Sequence, residues 1–341
     1  MKSKLTIKDI AKLANVSITT TSRIINHKPD GYSEETREKV LSVIKKYGYM
    51  PNLIARSLVT NQTRLIGVLI PDIRNPFYAE ISRGIEVAAY EKDINVMLFN
   101  SNLQSDKFKK QIMMCIERNV DGIIMVSQYL PVTESVNQLK KHEIPLVMID
   151  TLEDKSKYNV VETDIYHGAF LATEYLIKLG HKNIACIESD PYQTHGLYNS
   201  ISRTEGYISA LKTYGIPIKK HLIIASDSSN ESGRKSMEQL LKYYKEFTAV
   251  FIQNDIMAFS AYQAIKEANL KIPDDISVVG FDDISFCKIS DPPLTTVKQP
   301  TYEMGYEAMN MLFKLINKKN KRRQHKIFQP ELVIRKSVRS I

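Results

Sequence analysis

Eight side chains stand where apolar runs end or helical stretches begin, and their types suit binding rather than bond breaking. Asp72, Asn75 and Phe77 follow the apolar run 65–70, the last two within Asn75-Pro76-Phe77-Tyr78. Asp150 closes the run 146–149, and Arg203 opens a helical stretch. Asn254 follows 249–252, Asp282 follows 277–281, and Gln299 lies just before Pro300. Carboxylates, amides and a guanidinium hydrogen-bond paired hydroxyls, while a Phe ring offers a flat face for stacking. Each also has a plainer reading. Asn75, Asn254 and Asp282 can be helix caps, Asp150 a loop cap and Phe77 a core aromatic. Arg203 is harder to dismiss, because a cation at a helix N-terminus opposes the dipole.

A different chemistry is offered near the N-terminus. Ser17 is followed by Ile18, Thr19, Thr20, Thr21, Ser22 and Arg23, with Asn26 at the end of the stretch. Hydroxyls contact phosphates or base edges, and an Arg one turn into a helix can bind guanine O6 and N7 together. The plainer reading is a helical hairpin with a Thr-rich surface, although Thr is a mediocre helix former. Charge favours the first reading. The 341-residue chain carries a net charge of +9, and residues 1–60 hold 11 Lys and Arg against 5 Asp and Glu. The basic excess therefore sits mostly in the head, which points to a polyanion as its partner.

The elements that would position these residues fall into two textures. Thr6 and Asp9 form a capping-box-like pair for a helix over 7–14, Ser17 caps a second helix to about 25, and Ser33 caps a third that ends near Gly48. Two short helices joined by a tight turn make a helix-turn-helix. From 64 onward, apolar runs at 65–70, 95–99, 122–126, 146–149, 184–187, 249–252 and 277–281 alternate with helix-period stretches at 77–92, 107–118, 168–179, 203–214 and 255–269. That alternation predicts parallel sheets covered on both faces, in two α/β subdomains, with ligands beyond the carboxyl ends of the strands. The basic run 318–323 reads as a solvated loop.

Other classes are disfavoured. No apolar run is long enough to span a membrane, and the N-terminus lacks the apolar core of a secretory signal, so a cytoplasmic protein with no membrane partner is expected. Cys115, Cys186 and Cys287 are far apart and read as reduced thiols. A phosphate-cradling Gly-rich loop, a GxSxG elbow and metal-ligand spacing are all missing from the sequence, so neither an enzyme nor a cofactor is expected.

The motifs, taken in order, resemble the LacI/GalR family of bacterial repressors. Thr6-Ile7-Lys8-Asp9-Ile10-Ala11-Lys12-Leu13-Ala14-Asn15-Val16-Ser17 is similar to that family's opening helix and turn. Ser22-Arg23-Ile24-Ile25-Asn26 is similar to its recognition helix, and Tyr49-Met50-Pro51-Asn52-Leu53-Ile54-Ala55-Arg56-Ser57-Leu58 to its hinge. Asn15 stands where many members have Gly, and Thr21 where Val is usual. The resemblance implies a DNA-binding domain over 1–50, a hinge helix over 51–60 and a periplasmic-binding-protein-like core over 61–341. Within the core it implies an N-subdomain of about 61–160 and 293–322, and a C-subdomain of about 161–292 and 323–341. It further implies that Ile18, Thr19 and Arg23 meet operator bases, that Asn52 and Ala55 belong to a hinge that folds on double-stranded DNA, and that Leu58 wedges into the minor groove. Paired hinges imply a homodimer on a pseudo-palindromic operator. The C-terminus lacks the leucine heptads that tetramerise some members.

For the core, the resemblance places Asp150, Arg203, Asn254, Asp282 and Gln299 where relatives hold sugar hydroxyls, and Asn75-Pro76-Phe77 is similar to the stacking motif of ribose receptors. Thr151 departs from the Arg that ribose receptors carry. The expected function is repression of a sugar-utilisation operon, relieved by a small sugar such as a ribose-like pentose. The alternatives are a member governed by a purine or a phosphorylated carrier protein, and a plain sugar-binding receptor, which would leave the basic head without a role.

Overall fold

The computed structural model describes residues 5–26, 30–50, 62–126, 133–151, 155–189, 198–226, 230–318 and 322–341. The chain divides into two compact units, 1–64 and 65–341. Asn52, Ala55 and Leu58 of the hinge lie outside the described residues.

In the first unit, helices α1 (Ile7–Ala14), α2 (Ile18–Ile25) and α3 (Glu34–Tyr47) start where side chains can satisfy the orphan backbone donors. Thr6 and Asp9 complete a reciprocal capping box, the Thr6 N–H donating to the Asp9 carboxylate at 2.8 Å. Ser17 accepts from the Thr20 N–H at 3.0 Å, and Ser33 from the Thr36 N–H at 3.2 Å. Asn15 ends α1 with φ 54°, so it takes the left-handed conformation expected where many members have Gly. Ile10, Ala14, Ile24 and Val40 form the small core. Thr21 is fully buried with them, and its hydroxyl donates to the Ser17 carbonyl at 3.0 Å, which makes a polar group tolerable where Val is usual.

The second unit holds two six-stranded sheets. The first contains β1 (Leu65–Ile70), β2 (Asn95–Asn100), β3 (Gly122–Val126), β4 (Leu146–Ile149), β5 (Asn159–Thr163) and β11 (His325–Phe328), in the order β11-β5-β4-β3-β1-β2. The second contains β6 (Ile184–Ser189), β7 (Ile223–Ser226), β8 (Ala249–Ile252), β9 (Ser277–Asp282), β10 (Thr295–Lys298) and β12 (Glu331–Val333), in the order β12-β10-β9-β8-β6-β7. All pairings are parallel except β10 with β12. The inner strands β1, β3, β4, β6, β8 and β9 are buried on both faces, as parallel sheets require, while the edge strands are more exposed.

The subdomain boundaries differ from those implied by the resemblance. Residues 295–298 belong to the second sheet, not the first, because β10 pairs in register with β9, Thr295 opposite Val279. Residues 325–328 belong to the first, because β11 pairs with β5, His325 opposite Val160. The chain thus crosses between subdomains after β5, after β10 and between β11 and β12. The second crossing delivers a helix, Thr301–Ile316, that lies along the helix Pro76–Tyr90. Glycine permits that approach: a Cβ on Gly305 would stand 2.1 Å from the Ile81 carbonyl oxygen, and one on Gly84 2.1 Å from that of Tyr302. No helix among the described residues is long and apolar enough to cross a membrane.

Candidate functional site

Four of the eight core candidates are brought together, one from the first subdomain and three from the second. Asp150 ends β4 in the first subdomain, with φ 46° and only 2 % exposure. The other three come from the second: Asp282 closes β9, Gln299 follows β10, and Arg203 projects from the helix Tyr198–Thr213. Arg203 and Gln299 are each 2 % exposed. The Arg203 guanidinium lies 4.8 Å from the centre of the Phe281 ring, a cation–π contact. The Gln299 amide donates to Asp282 Oδ1 at 2.8 Å.

The polar accounting of this cluster is incomplete. Asp150 Oδ2, Arg203 Nε and Nη1, and Gln299 Oε1 are buried without a hydrogen-bond partner. Buried polar atoms are normally satisfied, and four orphans within one cluster mark a place built for another molecule. The electrostatics agree. Burial pushes the Asp150 carboxyl up to about 7, with the negative charge of Glu162 adding to the rise, while Arg203 and the Thr163 backbone N–H oppose it. Burial likewise raises Asp282 well above the usual carboxylate range, helped by Asp255 and opposed by Arg203 and Gln299. Two acids whose charged forms are disfavoured by burial, beside one guanidinium, supply both donors and acceptors.

That arrangement has a pH signature. A carboxyl whose folded pKa lies above its unfolded value near 3.8 stabilises the fold fully below that value, and the contribution disappears as pH rises through about 7. The wild type should therefore lose stability relative to Asp150→Asn across this window. Urea denaturation of both proteins at about pH 4.5 and about pH 7.5 reads the difference directly. An unchanging difference would mean that Asp150 does not titrate there.

The remaining candidates are placed otherwise. Asn75 caps the helix Pro76–Tyr90, accepting from the Phe77 N–H at 3.0 Å. Phe77 is buried in the subdomain core, edge-on to Tyr78 at 5.1 Å. Asn254 caps the helix Asp255–Glu267, accepting from the Met257 N–H at 2.8 Å while its amide turns to the Met257 sulfur. Asp72 pairs with Arg74 at 2.7 Å, which lowers its pKa. For these four, the structure supplies the plainer role.

Sequence reasoning passed over several buried groups around the cluster. Asp255, fully buried, accepts from the Thr296 hydroxyl at 2.6 Å, the Ile284 N–H at 3.0 Å and the Cys287 thiol at 3.1 Å. It thereby fixes the loop after Asp282, and a half-buried pair, Asp283 with Arg335 at 2.6 Å, fixes the same loop from the other side. Glu162 is paired with Lys155 at 2.5 Å and with His325 at 2.7 Å. Gln253, fully buried, links Ser189 and Thr204. A signal was available for Gln253 and Asp255, polar residues just past the apolar strand 249–252, whereas Glu162 lies within β5.

In the first unit the proposed reading face is on the outside. Ser17, Ile18, Thr19 and Arg23 are exposed, Ile18 by 46 %. Thr20 and Ser22 are half-buried, and Ser17 and Thr20 share a hydroxyl contact at 2.9 Å in addition to the cap. The Asn26 amide donates back to the Ser22 carbonyl at 2.7 Å. Arg23 lies across Gly31, whose φ of 93° also favours glycine.

Comparison with known proteins accounts for both units. Residues 6–52 match the model of the bacterial regulatory proteins of the lacI family, and residues 173–338 match that of the periplasmic binding protein-like domain. The HTH-type transcriptional repressor PurR of Histophilus somni is 37% identical over 340 residues, covering 98% of this chain and 99% of its own. The crystal structure of the lac repressor dimer bound to operator and an anti-inducer aligns with a TM-score of 0.86 at 27% identity, over 99% of this chain and 100% of that one. A LacI family transcriptional regulator from Enterococcus faecium, solved with bound ribose, aligns with a TM-score of 0.73 at 31% identity, over 81% of this chain and 99% of that one. With its helix-turn-helix head and two-sheet effector domain, the chain belongs to the LacI family of DNA-binding transcriptional regulators.

Proposed function

We propose that this regulator represses a sugar-utilisation operon as a homodimer on a pseudo-palindromic operator, and that a small neutral polyol, with a ribose-like pentose first, releases it. The observation that carries the reading is the set of four orphaned polar atoms on Asp150, Arg203 and Gln299, contributed by both subdomains. A vicinal diol can donate to Asp150 Oδ2 and Gln299 Oε1 while accepting from the Arg203 guanidinium. A phosphorylated ligand fits less well, since a phosphate dianion would give up its hydration in a place where burial already disfavours the charged forms of Asp150 and Asp282. Bound to both subdomains, the ligand favours one closure of the core, and linkage requires the operator to weaken ligand binding by the same factor. The ribose-bound relative from Enterococcus faecium supports the choice of pentose.

On the DNA side, Ile18, Thr19 and Arg23 read bases, with Ile18 offering apolar contact such as a thymine methyl group accepts. Asn52, Ala55 and Leu58 form the minor-groove hinge. Arg23→Ala should weaken operator binding by roughly 1–3 kcal/mol while leaving ligand binding intact. Mobility-shift titrations on operator and random DNA check this, and equal losses on both would make Arg23 a phosphate contact only.

The reading as a whole is tested by calorimetry with D-ribose, other pentoses, their 5-phosphates and purines, followed by operator binding with each ligand that binds. Binding of ribose with loss of operator affinity supports it. Binding of a purine with tighter operator binding would replace induction with co-repression.

A further inference from the structure

Arg203 is the cation shared by both buried acids, yet its Nε and Nη1 have no protein partner. Its place is therefore held by the Phe281 ring contact and by where the helix sets its backbone, not by hydrogen bonds from Nε or Nη1. The neighbouring residue supplies the anchor. The Thr204 hydroxyl donates to Glu188 Oε1 at 2.6 Å and accepts from Gln253 Nε2 at 2.8 Å, while Gln253 Oε1 accepts from the Ser189 N–H at 3.1 Å. One buried amide thus joins the ends of β6 and β8 to the helix that carries Arg203. One turn further along, the Tyr207 hydroxyl donates to the Ile184 carbonyl at 2.7 Å and holds the same helix face against β6. Adjacent residues on a helix project about 100° apart, so a helix fixed through Thr204 has its Arg203 direction fixed as well.

We infer that Gln253, Thr204 and Glu188 form a positioning network that aims Arg203 at the effector, and so sets affinity without touching it. The inference rests on the reading of Arg203 as an effector contact. Every polar atom used is buried or half-buried and has a partner within the trio or on the Ser189 backbone, so no ligand is needed to hold the network together. This differs from the orphaned atoms of Asp150, Arg203 and Gln299, and the contrast separates residues that await a ligand from residues that prepare for it.

The test uses Thr204→Val, which keeps the shape and removes the hydroxyl, with Thr204→Ser restoring it. Gln253→Met serves as a second, near-isosteric break should Thr204→Val not fold. Ligand-free crystal structures of the full-length proteins are compared first. In Thr204→Val or Gln253→Met the guanidinium should leave its place above Phe281 or occupy several positions, and in Thr204→Ser it should remain. A guanidinium that stays over Phe281 in both broken variants overturns the inference. Calorimetry with D-ribose then gives the consequence: roughly tenfold or greater loss of affinity in the broken variants, near-wild-type affinity in Thr204→Ser and unchanged operator binding in all three. Affinity kept in the broken variants overturns the inference as well. If the guanidinium moves as expected but the wild type binds no pentose, the positioning network stands and the effector assignment fails.

Discussion

Replacing Arg203 with Met should reduce effector affinity by about 100-fold or more, roughly 3 kcal/mol, while repression persists. The loss has two sources. A ligand hydroxyl that accepted from the guanidinium finds no donor, and Asp150 and Asp282 lose the cation that opposes their burial. Both acids then stay protonated to higher pH, so the site keeps its donors and loses its cation. Met retains enough apolar length to cover Phe281, which limits the damage to the core. Calorimetry with D-ribose and a mobility-shift assay with and without ligand separate the two effects. A variant released by ligand as readily as the wild type would remove Arg203 from the effector site.

Asp255→Ala should destabilise the core by about 3 kcal/mol or more, because it strands three donors at once. The Ile284 N–H, the Thr296 hydroxyl and the Cys287 thiol all converge on this carboxylate in a fully buried place. A Cβ at Gly280 would lie 2.3 Å from Asp255 Oδ1, so the strand that ends in Asp282 is packed directly onto the carboxylate. Burial holds the Asp255 carboxyl up to about 7, against the pull of those three donors. Asp255→Asn keeps one acceptor oxygen and should cost less. Urea denaturation of the three proteins measures the order. Equal stability of wild type and Asp255→Ala would mean that water replaces the carboxylate without loss. A milder effect is expected on the ligand, since the loop after Asp282 is also held by Asp283 and Arg335.

Much of the architecture was legible because its causes are local. The three helix starts depend on Thr6, Ser17 and Ser33, each capping within three residues, and Asn15 and Gly48 end helices through their own φ preferences. Apolar runs bounded by polar residues announced β1, β3, β4, β6, β8 and β9, because a strand buried on both faces has no polar side to show, and the same texture marked the more exposed edge strand β2. The exposed face of α2 followed in the same way from an amphipathic pattern only eight residues long.

What remained hidden depends on partners far along the chain. Nothing local to 295–298 says that it pairs with β9, or local to 325–328 that it pairs with β5, since strand order is set by which hydrogen-bond ladder closes in the folded molecule. The same holds for the site. Asn254 and Asp255 are neighbours of similar chemistry, yet one spends its side chain on a cap and the other reaches Thr296 on β10, beyond β9 in the chain. Phe77 has the composition of a stacking residue, and the core takes it. Sequence determined the two units, their elements and the residue types able to grip a polyol. Tertiary structure decided which of those residues meet, because burial, desolvation and hydrogen-bond satisfaction are properties of the assembled neighbourhood and not of any single residue.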